Sequence, residues 1–439
     1  MRAKLADIFQ LIVDEQTPVA LRAFDGSSYA PPDPVGTVVL RHPRALRYML
    51  GAPGELGIAR AYVTGDLDIE GDLHATLTAL DEHRREGIRP RDFIRFAQRW
   101  MLRPAPIPAE EAPAAWRRGL APHTRRRDAR AIEHHYDLPS SFYELLLGPT
   151  MTYSCAIFTH STTSLEDAQT EKIDLICRKL DLKAGERLLD VGAGWGTLVR
   201  HAAHNYGVRA LGVTLSAEQA QHATAAIAAD GLADRAEVRR LDYRDLNLVS
   251  YDAISSVGAM EHFGVAHLEA HFASMRERLR PEGRMLNHAI MRPDSRVSHK
   301  PGPFIDRYVF PDGELQSPGA VAAAMNDNGL ELRHEENLRE HYGLTLREWG
   351  NNLERNWDRA VELVGERRAR VWRLYMAMSR IGFETGLIEI HQMLAVRAGA
   401  RGRSGMPLRP DFARRAHHLA PPEPAAEPPT QEQTALLPD

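Results

Sequence analysis

Leu188-Leu-Asp-Val-Gly-Ala-Gly-Trp-Gly196, followed by Gly212-Val-Thr-Leu-Ser-Ala-Glu-Gln219, decides the fold of this chain. The first stretch reads as a buried strand, a glycine turn and the start of a helix. The second reads as another strand with its own turn. Glycines 192, 194 and 196 let the backbone approach a ligand where a Cβ would collide. Asp190, at the strand end, can hold polar groups at the carboxyl edge of a parallel sheet, where open α/β sheets bind ligands.

Two nucleotide-type ligands fit such a turn, a dinucleotide or S-adenosylmethionine. The dinucleotide fingerprint is G-x-G-x-x-G with an acidic residue ending the second strand. Here the run is Asp-x-Gly-x-Gly-x-Gly, position 197 is Thr, and strand 209–213 runs into Thr214-Leu215-Ser216 without an acid. This resembles the turn of class I S-adenosylmethionine methyltransferases, which implies a doubly wound, mostly parallel, seven-stranded α/β sheet. The bland alternative is a glycine turn with no ligand.

The chain has 439 residues, 55 basic against 59 acidic, and a formal net charge of -4, so it is not a polycation built for nucleic acid. Two cysteines, Cys155 and Cys177, cannot build a disulfide framework or a cysteine zinc site, and they fit a reducing compartment. The N-terminus carries charge where a signal peptide would be apolar. No apolar run approaches the ~20 residues that span a bilayer. The expected location is cytoplasmic, with any membrane contact made from the surface.

Residues 1–103 read as a smaller N-terminal α/β unit, with strands near 19–24 and 37–41 and helices near 45–50 and 58–62. In 92–101, Phe93, Phe96, Trp100 and Met101 share a helical face that suits either an anionic lipid surface or the unit's own core. Residues 104–130 read as a Pro-rich, then basic linker. Strands are expected at 187–191, 210–213, 236–239, 253–257 and 284–289 within a catalytic domain spanning 131–399. Residues 400–439 are expected to be a disordered tail.

Flanking the turn are His135-Tyr-Asp-Leu138, Pro149-Thr-Met-Thr-Tyr-Ser-Cys-Ala156, Leu241-Asp-Tyr-Arg-Asp245, Ser256-Val-Gly-Ala-Met-Glu-His-Phe-Gly264, Asn287-His-Ala-Ile290, Phe304-Ile-Asp-Arg-Tyr-Val-Phe-Pro311 and His341-Tyr-Gly-Leu344. In these motifs, their order and their spacing, residues 131–397 resemble the cyclopropane-fatty-acyl-phospholipid synthase family, which includes mycolic acid cyclopropane synthases. The N-terminal part resembles, more weakly, the extra domain of phospholipid-acting members.

The resemblance implies methyl transfer from S-adenosylmethionine to a cis double bond of a lipid acyl chain, with a carbocation deprotonated by bound bicarbonate. An alkene is a poor nucleophile, so alignment in a dry pocket must replace intrinsic reactivity. Carried over by motif, the bicarbonate ligands are Cys155, Glu261, His288, the backbone of Ile290, and Tyr342, with Tyr136 close by. A carboxylate beside an anion raises the pKa of one partner. Glu261 is therefore expected to be protonated, or to bond through the bicarbonate hydroxyl. The cofactor contacts carried over are Tyr153, Ser154, Asp190, Gly192, Gly194, Thr214, Leu215, Gln219, Asp242 and Tyr243. Gln219 takes the ribose role of the missing acid, Asp242 accepts from the adenine amino group, and Tyr243 stacks on the ring. Ala193, often Cys in relatives, is expected to point away from the ligand.

Cys177 reads as core. His267 and His271 lack the H-E-x-x-H context of a zinc site, so no metal is expected. Trp195 reads as a pocket wall or packing residue. Trp349, Trp357, Trp372, Tyr375 and Phe383 are expected to divide between an acyl tunnel and packing.

Glu336-Asn-Leu-Arg-Glu-His-Tyr342 and Arg380-Ile-Gly-Phe-Glu384 resemble actinobacterial members that make 10-methylene, tuberculostearic-type lipids, which favours a methylene over a cyclopropane product. Small-molecule N- or O-methylation and non-catalytic lipid binding are the competing classes. The expected partners are unsaturated phospholipid acyl chains at the inner membrane surface, a separate reductase for a methylene product, and a second copy in a homo-oligomer.

Overall fold

The computed structural model describes residues 4–85, 105–112, 123–125, 127, 130, 138–296 and 300–413. Tyr136, the 92–101 aromatic helix and most of the basic run 116–127 lie outside the described residues.

The catalytic part is a seven-stranded sheet in the order β10-β11-β9-β8-β5-β6-β7. Its strands are β5 (Arg187–Val191), β6 (Arg209–Thr214), β7 (Ala236–Arg240), β8 (Tyr251–Val257), β9 (Leu279–Met291), β10 (Glu331–Asn337) and β11 (Glu389–Val396). β5 through β9 pair in parallel, and β11 runs antiparallel to both β9 and β10. The order reverses between β5 and β8, so a crevice opens at their carboxyl ends. The glycine turn sits there.

The five expected parallel strands are present. β10 and β11 escaped the sequence reading because Glu-Leu-Arg-His-Glu-Glu-Asn carries no apolar alternation and β11 follows a long helix directly. Helix starts follow their caps. Ser164, Ser216 and Ser317 each accept the N–H of the residue three positions on, and Pro318 occupies the first turn of the last of these helices.

The N-terminal unit has a four-stranded sheet, β2-β1-β3-β4, made of β1 (Val19–Ala23), β2 (Ser28–Tyr29), β3 (Gly36–Leu40) and β4 (Leu67–Gly71). Its apolar core is continuous with that of helices Arg339–Arg355 and Glu366–Glu384. The buried Arg370 joins the two parts. It donates to the carbonyls of Tyr62 (2.7 Å) and Leu67 (3.1 Å) and to Asp68 (3.0 Å). The Pro-rich stretch expected as a linker packs as a strap over residues 105–112. Glu111 takes a bidentate bond from Arg60, and Pro106 accepts from Tyr48.

Residues 400–413 correct the expectation of a disordered tail from 400 onward. The Phe412 carbonyl accepts from Arg178 at 2.8 Å and its ring meets His334 edge-on. One aromatic among glycines and arginines is enough to dock this stretch. Among the described residues no helix is long and apolar enough to cross a membrane.

Candidate functional site

Two cavities meet at the sheet's carboxyl edge. The first, about 150 Å³, is lined by the glycine turn, Tyr153, Ser154, Thr214, Leu215, Gln219, Asp242 and Tyr243, so every expected cofactor contact reaches it. Gly192 and Gly194 hold φ of +80° and +53°, where a side chain is strained. A Cβ on Gly192 would lie 2.8 Å from that of Ala259, whereas one on Gly194 would enter open space. The Ala193 methyl packs behind the turn, toward Gly212.

Ser216 caps its helix and so places Gln219 in the first turn, where Gln219 Oε1 accepts the Thr214 hydroxyl at 2.6 Å. Asp242 is paired with Arg244 through both carboxylate oxygens, at 2.9 and 2.7 Å. Tyr243 stands against Phe263, with ring centroids 5.0 Å apart. His271 is buried in the same cluster, and burial lowers its pKa to about 3. Among the described residues no group of three or more His, Cys, Asp or Glu is placed to hold a metal.

Asp190 is buried and accepts from Ser255 at 2.7 Å. Burial raises its carboxyl to about 6 against the pull of Lys172. Lys172, buried on helix Leu165–Lys179, donates to Ser154 Oγ at 2.7 Å, and burial lowers it to about 8. One turn earlier, Gln169 donates to the carbonyls of Thr152 and Ser154. This i, i+3 pair fixes the Tyr153-Ser154-Cys155 segment. The sequence reading passed over Lys172, although a lysine and a glutamine on the apolar face of a helix were a signal.

The second cavity, about 210 Å³ and mainly apolar, shares Tyr153, Ser154, Gly258 and His262 with the first. Glu261, His288, Ile290 and Tyr342 line it together. His288 and Ile290 alternate on β9 and so face the same way. Glu261 is 9% exposed; its Oε1 accepts the Ile290 N–H at 2.7 Å and its Oε2 has no partner. That bond commits the Ile290 N–H, a candidate anion donor, to Glu261. Burial pushes the Glu261 carboxyl up to about 7. His288 is buried with neither ring nitrogen bonded, and burial holds its pKa well below the usual range, so the ring is neutral.

Cys155 is buried, its thiol donates to the carbonyl of Ala156, and burial pushes its pKa up, so it is no thiolate. Tyr342 stacks on Phe383, with centroids 4.4 Å apart. Tyr375 and Phe383 line the cavity, and Tyr375 accepts from the Tyr153 hydroxyl at 3.1 Å. Trp349 and Trp372 instead pack behind Tyr153, Trp357 stands over Arg373, and Trp195 lines the first cavity. Cys177 is core. Glu55, from the N-terminal unit, and Arg292 also line the second cavity. Nothing in the motifs pointed to either.

Comparison with known proteins places these features. The family model described as mycolic acid cyclopropane synthetase matches residues 123–393. The "Probable fatty acid methyltransferase Rv3720" of Mycobacterium tuberculosis H37Rv is 45% identical over 421 residues, covering 93% of this chain and 98% of that protein. The "Tuberculostearic acid methyltransferase UfaA1" of the same organism is 32% identical, with 87% and 88% covered. Among solved structures, mycolic acid cyclopropane synthase CmaA1 in complex with SAH and CTAB aligns with a TM-score of 0.58 at 33% identity, covering 63% of this chain and 99% of that one.

Proposed function

Because the chain belongs to the mycolic acid cyclopropane synthetase family, as an S-adenosylmethionine-dependent methyltransferase, we propose that it adds a one-carbon unit to the cis double bond of an acyl chain in a phospholipid and yields a methylene-branched product. One observation carries the reading: a mainly apolar cavity shares a wall of four residues with the cofactor cavity, and the buried Glu261 and His288 line it.

The glycine turn, Thr214, Gln219 and Tyr243 would hold S-adenosylmethionine, which supplies an electrophilic methyl group. The alkene's π pair forms the new C–C bond, leaving positive charge on the neighbouring carbon. Tyr153, Phe310 and Tyr375 give that charge aromatic faces and keep water away. A hydride shift followed by loss of a proton from the added carbon gives the exomethylene; loss of that proton with ring closure gives a cyclopropane. Either route needs a base.

Neutral His288 and the unpartnered Glu261 Oε2 fit an oxyanion that itself carries a hydroxyl. Bicarbonate beside Glu261, His288 and Tyr342 would supply that base, with Ile290 acting through the Glu261 carboxyl that its N–H holds. The name of the tuberculostearic acid methyltransferase relative favours a branched over a cyclopropane outcome. The substrate implies work at the inner membrane surface, and a methyl branch would require a separate reductase.

The test is expression in a host that makes oleoyl lipids but neither product, followed by proton NMR of its fatty acid methyl esters. Vinylidene signals are expected. Upfield ring signals would make the product a cyclopropane, and unmodified oleate with turnover of a soluble amine would remove the lipid reading.

A further inference from the structure

The lining of the second cavity includes two ionic side chains with no opposite charge beside them among the described residues. Glu55 opens helix Glu55–Val63, and Oε1 accepts the Phe304 N–H at 3.2 Å. No cation contributes to its electrostatics, and burial raises its pKa. Arg292 follows β9; its terminal nitrogen donates to the Lys300 carbonyl at 2.6 Å while its buried Nε has no partner. Its pKa is lowered by burial, with no carboxylate acting on it. The two do not bridge each other, although both line one cavity. Unpaired, partly desolvated charges of both signs are costly in the free protein and gain most from a ligand of matching pattern.

Resting on the acyl-chain reading above, we propose that Arg292 and Glu55 form a headgroup subsite for a zwitterionic phospholipid, Arg292 binding the phosphate and Glu55 the ammonium. The spacing agrees. His288 and Arg292 are four residues apart along extended chain, about 13 Å. One leaflet of a bilayer holds about 15 Å of hydrocarbon, so a mid-chain double bond lies about 8 Å below its edge, and the glycerol ester adds the remaining separation from the phosphate. The alternation that turns His288 and Ile290 into the cavity also brings Arg292 to its wall. Gly302 contributes by its lack of a side chain, since a Cβ there would lie 2.4 Å from Glu55 Oε2. A free phosphoamine has the same chemistry, but the subsite's place in the lining of a mainly apolar cavity favours the lipid.

The full chain is assayed with methyl-labelled S-adenosylmethionine on vesicles of dioleoyl phosphatidylethanolamine or dioleoyl phosphatidylglycerol. The wild type is expected to prefer the ethanolamine lipid. Arg292→Gln should raise the half-saturating concentration of both lipids about tenfold, the weight of one charge-assisted hydrogen bond. Arg292→Lys should fall between the two. Glu55→Gln should abolish the preference by losing turnover on the ethanolamine lipid alone. Unchanged S-adenosylhomocysteine affinity establishes that each variant is folded. An unaltered lipid dependence in Arg292→Gln or an unaltered preference in Glu55→Gln overturns the subsite, and inhibition by free phosphoethanolamine at lipid-like concentration overturns its assignment to a lipid. A wild type that binds S-adenosylhomocysteine but converts neither lipid refutes the phospholipid reading itself, and the subsite with it.

Discussion

The cofactor cavity takes its walls from residues 151–263, whereas the second cavity takes its walls from Glu55 to Ile390. The first is set by local rules: a strand, a positive-φ turn, a capped helix, then the next strand. The second exists only after the N-terminal unit, β9, the 301–315 loop and two late helices have packed on one another. Four residues join them. This division lets the substrate wall vary while the cofactor wall stays fixed, because few side chains serve both.

Glu261→Gln tests the division most severely. Product formation should fall about 10²–10⁴-fold, the usual range for a lost acid–base group, with S-adenosylhomocysteine affinity unchanged by calorimetry. A matching loss of affinity would mean that the two cavities are one energetic unit.

The next effect is on stability. Burial raises Glu261 from 4.5 to about 7 and Asp190 from 3.8 to about 6. A carboxyl whose folded pKa is raised stabilises the fold fully below its unfolded pKa and loses that contribution as pH climbs through the folded value. The Glu261 contribution should therefore be lost between pH 4.5 and 7, by on the order of 3 kcal/mol, while the buried His271 and His288, whose pKa values are lowered, act in the opposite direction over the same window. Urea denaturation of wild type and Glu261→Gln across this window checks it. The difference in stability between the two proteins should change by the Glu261 share across the window, since all other groups are common to both, and an equal slope in both proteins would contradict the assignment.

Gly192→Ala combines φ +80° with a 2.8 Å approach to Ala259. A penalty of about 1–2 kcal/mol should weaken S-adenosylhomocysteine binding roughly tenfold. Pyrene-labelled acyl chains in a fluorescence assay should bind as before.

The smallest effect should come from Gly258→Ala at the shared wall. Its φ is +62° and its Cβ would meet nothing within 4 Å. Turnover should drop about threefold from strain of under 1 kcal/mol, with both affinities nearly kept. A far larger drop would show that the shared wall positions the reacting groups of both cavities.

The same division explains what the sequence disclosed. The five parallel strands, the glycine turn and Asp190 were legible because each depends on residues a few positions apart. Tyr153, Asp242 and Tyr243, like Glu261, His288 and Tyr342, were named only through motifs that resemble a family, since they converge from separate elements. Glu55 and Arg292 carried no signal at all, being 237 positions apart and brought together only by folding. Lys172 was hidden for another reason. A lysine on a helix reads as solvated until one sees that Ser154, Asp190 and Cys155 surround it. Phe412 misled because composition averages over a tail and a single ring does not show in the average.

Arg370 bears on how such a gene can change. Its guanidinium is satisfied by carbonyls and a carboxylate of the N-terminal unit and lies against the Tyr62 ring, 4.2 Å from its centroid. A deletion that removes that unit takes away the partners of the guanidinium together with the cover that desolvates it, so Arg370 simply returns to water. What such a deletion leaves exposed is the apolar face of the helices that shared one core with the lost unit. A shortened gene would therefore have to repair greasy surface, with position 370 the least of its needs.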